Sequence, residues 1–493
     1  MPLSRQARHL LVRYRAIAAY LGLIACLLGL LLLAPLVALL AWPGEAAQAW
    51  PFVLTGLILA AGGGGLWRWF RPAAPLALTL PEGAVIVLGA WLLAVGMGAL
   101  PLMPTAGLNF TQAAFEAASG WTTTGLSVVD VEKASHLLLL YRSVMQLAGG
   151  AGLAILLLAA FGGPLGVGLS SAEGRDLQLV PQVRRSTRLV VGIYSALNLL
   201  GVAALKLAGM GWFDAVNHAF CALSTGGFST RAASLGAWDQ PGVEAVIIAL
   251  MLLGNLNFLT LYALGRGKWR NLHRNAELRL LAFLLPLAAV VLYLGAVRYL
   301  FPSLPKAART AVFETVSALT TTGFSTLDYS RWNSLGLLLL TLLMLVGGGV
   351  CSTAGGLKQL RVYALYRVVV WELRRLLQPA AMVGQPSLWV GEAREFLDDT
   401  KIRRLGLFLF AYLTLLFLGT LLLTAHGYDV GRSFFEFASA LGTVGLSVGV
   451  TAPDAPPAVL WAETVAMVLG RLEILVVGVA LGKLGRDAKS FLS

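Results

Sequence analysis

The stretch Phe313-Glu314-Thr315-Val316-Ser317-Ala318-Leu319-Thr320-Thr321-Thr322-Gly323-Phe324-Ser325 decides how this chain is read, because three other segments align beneath it. They are FEAASGWTTTGLS over 115–127, NHAFCALSTGGFS over 217–229 and FEFASALGTVGLS over 435–447. Each copy carries a glycine followed by Leu or Phe and then Ser, at Gly125, Gly227, Gly323 and Gly445, with spacings of 102, 96 and 122 residues. A repeat fixes the architecture before any single motif does. Each copy falls between two apolar runs, so the unit reads as span, short helix, glycine loop, span. Small residues that merely let helices pack closely in a bilayer would explain one such copy. They do not explain four at the same topological place.

The composition agrees with a membrane setting. Of 493 residues 58% are hydrophobic and 12% charged, the mean hydropathy is +0.78, and a soluble domain carries about 25% charged residues. An ordinary soluble enzyme is excluded. Apolar runs near 16–42, 52–69, 83–103, 137–161, 189–209, 242–265, 278–300, 335–357, 405–425 and 459–482 are long enough to cross the hydrocarbon. The Thr-, Ser- and Gly-rich copies between them are too short to cross and too apolar for solvated loops. The expected fold is therefore an all-α polytopic membrane protein of about ten transmembrane helices plus four re-entrant pore loops, pseudo-fourfold around one central pore. Two N-terminal helices occupy 1–75, and the repeats occupy 76–165, 166–270, 271–375 and 376–493.

Charge sets the orientation. With the N-terminus inside, 27 of the 37 lysines and arginines fall on the inner side, nine fall outside, Arg142 among them, and Arg471 is left within a span. The positive-inside rule then places both termini in the cytoplasm. It also accounts for most of the net charge of +13 without a nucleic-acid partner. Residues 358–404 form the longest inner segment, a docking surface for a cytosolic protein. Cys26, Cys221 and Cys351 stand alone, so no disulfide frame or cysteine metal site is expected. Neither Gly62–Gly65, which lacks a following GK[ST], nor the scattered histidines offers a nucleotide or metal site, and no cofactor is expected in this chain.

The loops suit a dehydrated monovalent cation. Extended backbone can aim carbonyls inward to replace the ion's water shell, and glycine tolerates the φ values this requires. Helices ending at such loops direct their negative dipole ends at the ion path. The filter candidates are Thr122, Thr123, Thr124 and Gly125; Ser224, Thr225, Gly226 and Gly227; Thr320, Thr321, Thr322 and Gly323; and Gly442, Thr443, Val444 and Gly445. Glu116, Glu314 and Glu436, with His218 in the second copy, stand nine residues before each glycine. They either ring the mouth or brace the loops from behind, and their place in the pore helices favours bracing.

These four segments, together with GGGVCSTAGGLK over 347–358 and LGRLE over 469–473, closely resemble the TrkH/KtrB/HKT superfamily of potassium transporters over nearly the whole chain. The two extra N-terminal spans look like the TrkH branch. The resemblance implies a pseudo-fourfold pore within one subunit, a homodimer, a cytosolic ring of nucleotide-binding regulatory subunits of the TrkA type, and channel-like potassium uptake across the cytoplasmic membrane. Because Gly125 keeps the glycine that is serine in some sodium-preferring plant members, potassium is favoured. The unequal walls in copies two and four keep open a sodium-coupled or weakly selective K⁺/Na⁺ transporter of the Ktr type. An inside-negative potential supplies ~2.3 kcal/mol per charge per 100 mV, enough to hold potassium about fiftyfold concentrated.

The resemblance further implies a gate beneath the filter formed by Gly347, Gly348, Gly349, Ser352, Thr353, Gly355 and Gly356, and the residues themselves are too glycine-rich for a continuous helix. Lys358 ends this loop, where it is placed to meet a partner or a lipid headgroup. Arg471, alone in an apolar helix, is a functional candidate on cost alone. At ~8 Å from an ion path and an effective dielectric of ~20, its charge repels a cation by roughly 2 kcal/mol. The competing reading is a structural pair with Glu473 or Glu314.

Overall fold

The structure, a computed structural model, describes residues 5–72, 78–151, 183–267, 273–350, 352–377, 384–390 and 393–492. The end of the expected span 137–161, parts of the inner segments around 166–182, 268–272 and 378–383, and Cys351 lie outside the described residues.

The chain is mostly helical. It opens with a hairpin of α1 (Arg5–Leu33) and α2 (Trp50–Phe70). These two pack glycine to glycine: a Cβ on Gly63 would sit 2.4 Å from the Gly22 carbonyl oxygen, the close backbone approach typical of helices associating in lipid.

Four units follow. The first comprises α3 (Leu80–Ala106), α4 (Phe110–Trp121) and α5 (His136–Ala151). In the second, α6 (Val183–Leu207) and α7 (Trp212–Leu223) precede α8 (Pro241–Asn255) and α9 (Phe258–Gly265). The third holds α10 (Ala276–Gly295), α11 (Leu304–Leu319), α12 (Ser334–Val346) and α13 (Gln359–Leu376). A hairpin of β1 (Ser387–Val390) and β2 (Ala393–Phe396), antiparallel with Ser387 opposite Phe396, adds a small element to the helical plan. The last unit is α14 (Asp399–Ala425), α15 (Val430–Leu441), α16 (Pro457–Leu472) and α17 (Ile474–Leu492).

The two long helices of a unit are not equivalent. The first of each, α3, α6, α10 and α14, is unbroken and contains a stretch long and apolar enough to cross a membrane, as do α1 and α2. The second is interrupted in the last three units. α8 stops at Asn255 before α9, α12 stops at Val346, and α16 meets α17 at a bend of 99°. The run 335–357, expected as one span, is therefore a helix of 13 residues followed by a loop. The cause is local: Gly347 takes φ +70°, and Glu473, at the last break, takes φ +65°, neither of which continues a right-handed helix.

The short helices α4, α7, α11 and α15 form the centre. Asn109 caps α4 and Asp429 caps α15 through side-chain oxygens accepting backbone N–H groups, the usual remedy for orphan donors at a helix start. These short helices are largely buried toward their C-termini, and Phe115, Phe313 and Phe435 are fully buried.

Candidate functional site: a collar of four glycine loops

Each short helix ends in the same turn. The residue after it (Thr122, Ser224, Thr320 or Gly442) is still right-handed, and the next one (Thr123, Thr225, Thr321 or Thr443) swings to φ 57°, 52°, 54° and 50°. Left-handed threonine is unfavourable, and strain of this kind collects at functional sites. The turn is closed by backbone bonds from Thr124 N–H to Ser119 (2.9 Å), Gly226 to Cys221 (2.8 Å), Thr322 to Ser317 (3.0 Å) and Val444 to Ser439 (2.8 Å). Within the four filter positions of each loop, threonine at the left-handed position and the glycine two residues later are the identities shared by all four.

The glycines close a circle. A Cβ on Gly125 would lie 2.3 Å from the Gly226 carbonyl oxygen, one on Gly227 2.1 Å from that of Thr322, one on Gly323 1.9 Å from that of Val444, and one on Gly445 2.2 Å from that of Thr124. Each loop thus abuts the next in the order one, two, three, four and back to one. All four glycines open onto one vestibule of about 580 Å³.

Behind the collar lie the carboxylates. Glu116 accepts from the Ser127 hydroxyl and the Val128 N–H, both at 3.0 Å. Glu436 accepts from Ser447 (2.6 Å) and Val448 N–H (2.9 Å), and Glu314 from the Thr326 N–H (2.8 Å) and the Tyr329 hydroxyl. His218 takes the same place, with Nε2 3.0 Å from the Ser229 hydroxyl. All four are fully buried, so they brace the loops and do not form a charged rim. Outside the membrane, the Lys306 ammonium hydrogen-bonded to Asp239 holds that carboxyl below the usual carboxylate range. This links the loop before α8 to the start of α11.

The loop 347–358 packs against the collar on the side away from the vestibule. Its Gly355 N–H donates to the Thr321 hydroxyl (2.7 Å), Thr225 donates to the Thr353 hydroxyl (3.1 Å), and a Cβ on Gly355 would lie 2.0 Å from the Thr443 Oγ1. It fills the break after α8, with Thr353 N–H and Oγ1 donating to the Gly254 carbonyl and Gly349 N–H to that of Asn255. Within the loop Gly348 N–H bonds to Gly355, Ser352 donates to the Gly349 carbonyl, and Lys358 reaches back to that of Ala354. Arg471 joins loop and wall, donating to the carbonyls of Thr353 (2.5 Å) and Gly149 (2.6 Å). Glu473, weighed as its partner, instead receives two 2.7 Å contacts from Arg361, and Glu314 is taken by Thr326 and Tyr329.

A family model for TrkH, described as a cation transport protein, matches residues 51–492. The chain belongs to the TrkH family. The Trk system potassium uptake protein TrkH of Halomonas elongata is 31% identical over 481 residues, 94% of this chain and 97% of that protein. The protein of the same name from Escherichia coli K12 is 31% identical over 483 residues with the same coverage. The crystal structure of the potassium transporter TrkH from Vibrio parahaemolyticus matches with a TM-score of 0.83 at 28% identity, covering 95% of this chain and 98% of that one.

Several residues of this TrkH-family site escaped the sequence reading. Arg142, counted there among the outer charges, is 2% exposed inside α5, where Nε meets Glu116 at 2.8 Å and Nη2 donates to Ser127. One turn on, Gln146 donates to the Gly226 carbonyl (2.5 Å) and accepts from Phe228 N–H (3.1 Å). Glu277 accepts from the Val350 N–H at 2.6 Å. The intramembrane-charge argument that picked out Arg471 applies equally to Arg142.

Proposed function

We propose that this chain takes up potassium ions across the cytoplasmic membrane by channel-like flow, and that the sixteen residues Thr122–Gly125, Ser224–Gly227, Thr320–Gly323 and Gly442–Gly445 are its selectivity filter. The observation that carries this reading is the closed collar: four glycines, each against the carbonyl of the next loop, on the floor of one vestibule. Backbone carbonyls so arranged can replace the hydration shell of a monovalent cation. The names of the relatives, potassium uptake proteins, support the same cargo.

Loop 347–356 is the gate in this reading, with Lys358 at its exit and Arg471 pinning it to the wall. The chain works as a homodimer with both termini cytoplasmic, opened by a nucleotide-binding regulatory subunit of the TrkA type docked on the inner segment around 358–404. Transport is its activity, with K⁺ as cargo.

The test is ⁸⁶Rb⁺ uptake into proteoliposomes holding this chain alone, with external K⁺ or Na⁺ as competitor. Block by K⁺ and poor block by Na⁺ is expected. Equal block by both would replace the selective reading with a weakly selective transporter, which the absent threonine pairs in loops two and four would then explain: Thr122 with Thr124 and Thr320 with Thr322 bond through their hydroxyls at 2.7 and 2.8 Å, and the other two loops lack those side chains. For Arg471→Ala the flux is expected to rise, by up to roughly thirtyfold if the full ~2 kcal/mol of repulsion is removed. Unchanged flux from a folded variant would take Arg471 out of the gate.

A further inference from the structure

Beside the collar, and separate from it, a cavity of about 250 Å³ opens between the vestibule-side ends of α12 and α15. Its rim is polar and its depth apolar. Asp429 and Arg432, at the start of α15, form the rim, while Leu337, Leu338 and Phe434 lie further along the two helices. From Ser334 to Thr341 the lining descends about 10 Å along α12 at ~1.5 Å per residue. The outward face of α12 continues this apolar track, with Leu338 and Leu342 each 50% exposed.

Two opposite charges stand at the rim. The Arg432 guanidinium has no carboxylate within ion-pair distance among the described residues. Asp429 spends Oδ2 on capping the N–H groups of Gly431 and Arg432, which leaves Oδ1 at the rim. One positive and one negative group above an apolar track describe a complement for a zwitterionic amphiphile.

We infer that this cavity binds the headgroup of an aminophospholipid, its phosphodiester on Arg432, its primary ammonium on Asp429, and one acyl chain along α12. Occupancy bears on the collar through two lining residues. Tyr329 donates its hydroxyl to Glu314, and Val448 donates its N–H to Glu436, so the lipid seats against the braces of loops three and four.

The experiment is native mass spectrometry of the full chain in detergent, titrated with an equimolar mixture of phosphatidylethanolamine and phosphatidylglycerol bearing the same acyl chains. The wild type is expected to retain phosphatidylethanolamine roughly fivefold over phosphatidylglycerol, the scale of one exposed ion pair. Asp429→Asn should bring that ratio near one, Arg432→Gln should lower binding of both lipids, and Leu338→Trp, which fills the cavity without touching the rim charges, should lower both as well. A wild-type ratio near one, or variants that bind both lipids as the wild type does, would overturn the assignment. This readout is independent of flux.

Discussion

Gly323→Ser is expected to abolish the preference for potassium while leaving the protein in the membrane. At φ +82° an L side chain is strained, and its Cβ would have to occupy a point 1.9 Å from the Val444 carbonyl oxygen and 3.0 Å from the Gly445 Cα. The obstructing atoms are backbone of the neighbouring loop, so no flexible side chain can swing aside. The displaced oxygen belongs to the collar itself. We expect Rb⁺ uptake to lose at least about tenfold in its discrimination of K⁺ from Na⁺, equivalent to ~1.4 kcal/mol. Gly445→Ser, with its Cβ 2.2 Å from the Thr124 oxygen, should act in the same direction. Gly62→Ser, with nothing within 4 Å of its Cβ, is the control. Unchanged competition in both collar variants would sink the filter assignment.

The second large effect concerns stability. Glu116→Ala is expected to destabilise the protein by about 3–5 kcal/mol, because it strands the Arg142 guanidinium, 2% exposed, without its charge partner. The Ser127 hydroxyl and the Val128 N–H lose their acceptor at the same time. The double variant Glu116→Ala with Arg142→Met should recover part of that loss, since removing both members of a buried pair is far less harmful than removing one. Melting of the purified protein in detergent, followed by size exclusion, reads both. A double variant that falls by the sum of the two single losses would show that the pair is uncoupled and that the loop is held by other bonds.

Much of this was legible in the sequence for a physical reason: the fold is written four times. A motif such as Thr-Thr-Thr-Gly carries little weight alone, but repetition at one topological place separates a built loop from chance packing. The unequal copies were informative too, since His218 stands where three glutamates stand and makes the equivalent bond to Ser229. What the sequence hid lies in contacts between copies. Arg142 and Gln146 are on the second helix of the first unit yet hold loops one and two, and no local spacing shows that reach. The charge count places Arg142 outside although it lies within the apolar run 137–161, and its burial is stabilised by Glu116, 26 residues earlier. Helix breaks were half visible. Glycines announced the one after Val346, but Glu473 at φ +65° breaks its helix with no glycine at all.

The loop beneath the collar is joined to it by the Thr225 and Thr321 hydroxyls, so it is a floor to the ring. Moving it removes hydrogen bonds from the same residues whose backbone turns into the ring. In the reading proposed above, with ions in the ring and the loop as its gate, ion occupancy and loop position are linked equilibria, and linkage is mutual. An ion bound more tightly above the seated loop holds that loop down by the same factor, and whatever pulls the loop away from below changes the ring's affinity for its ions. Exhausting the external ion and recruiting an internal effector become two ways of acting on one equilibrium.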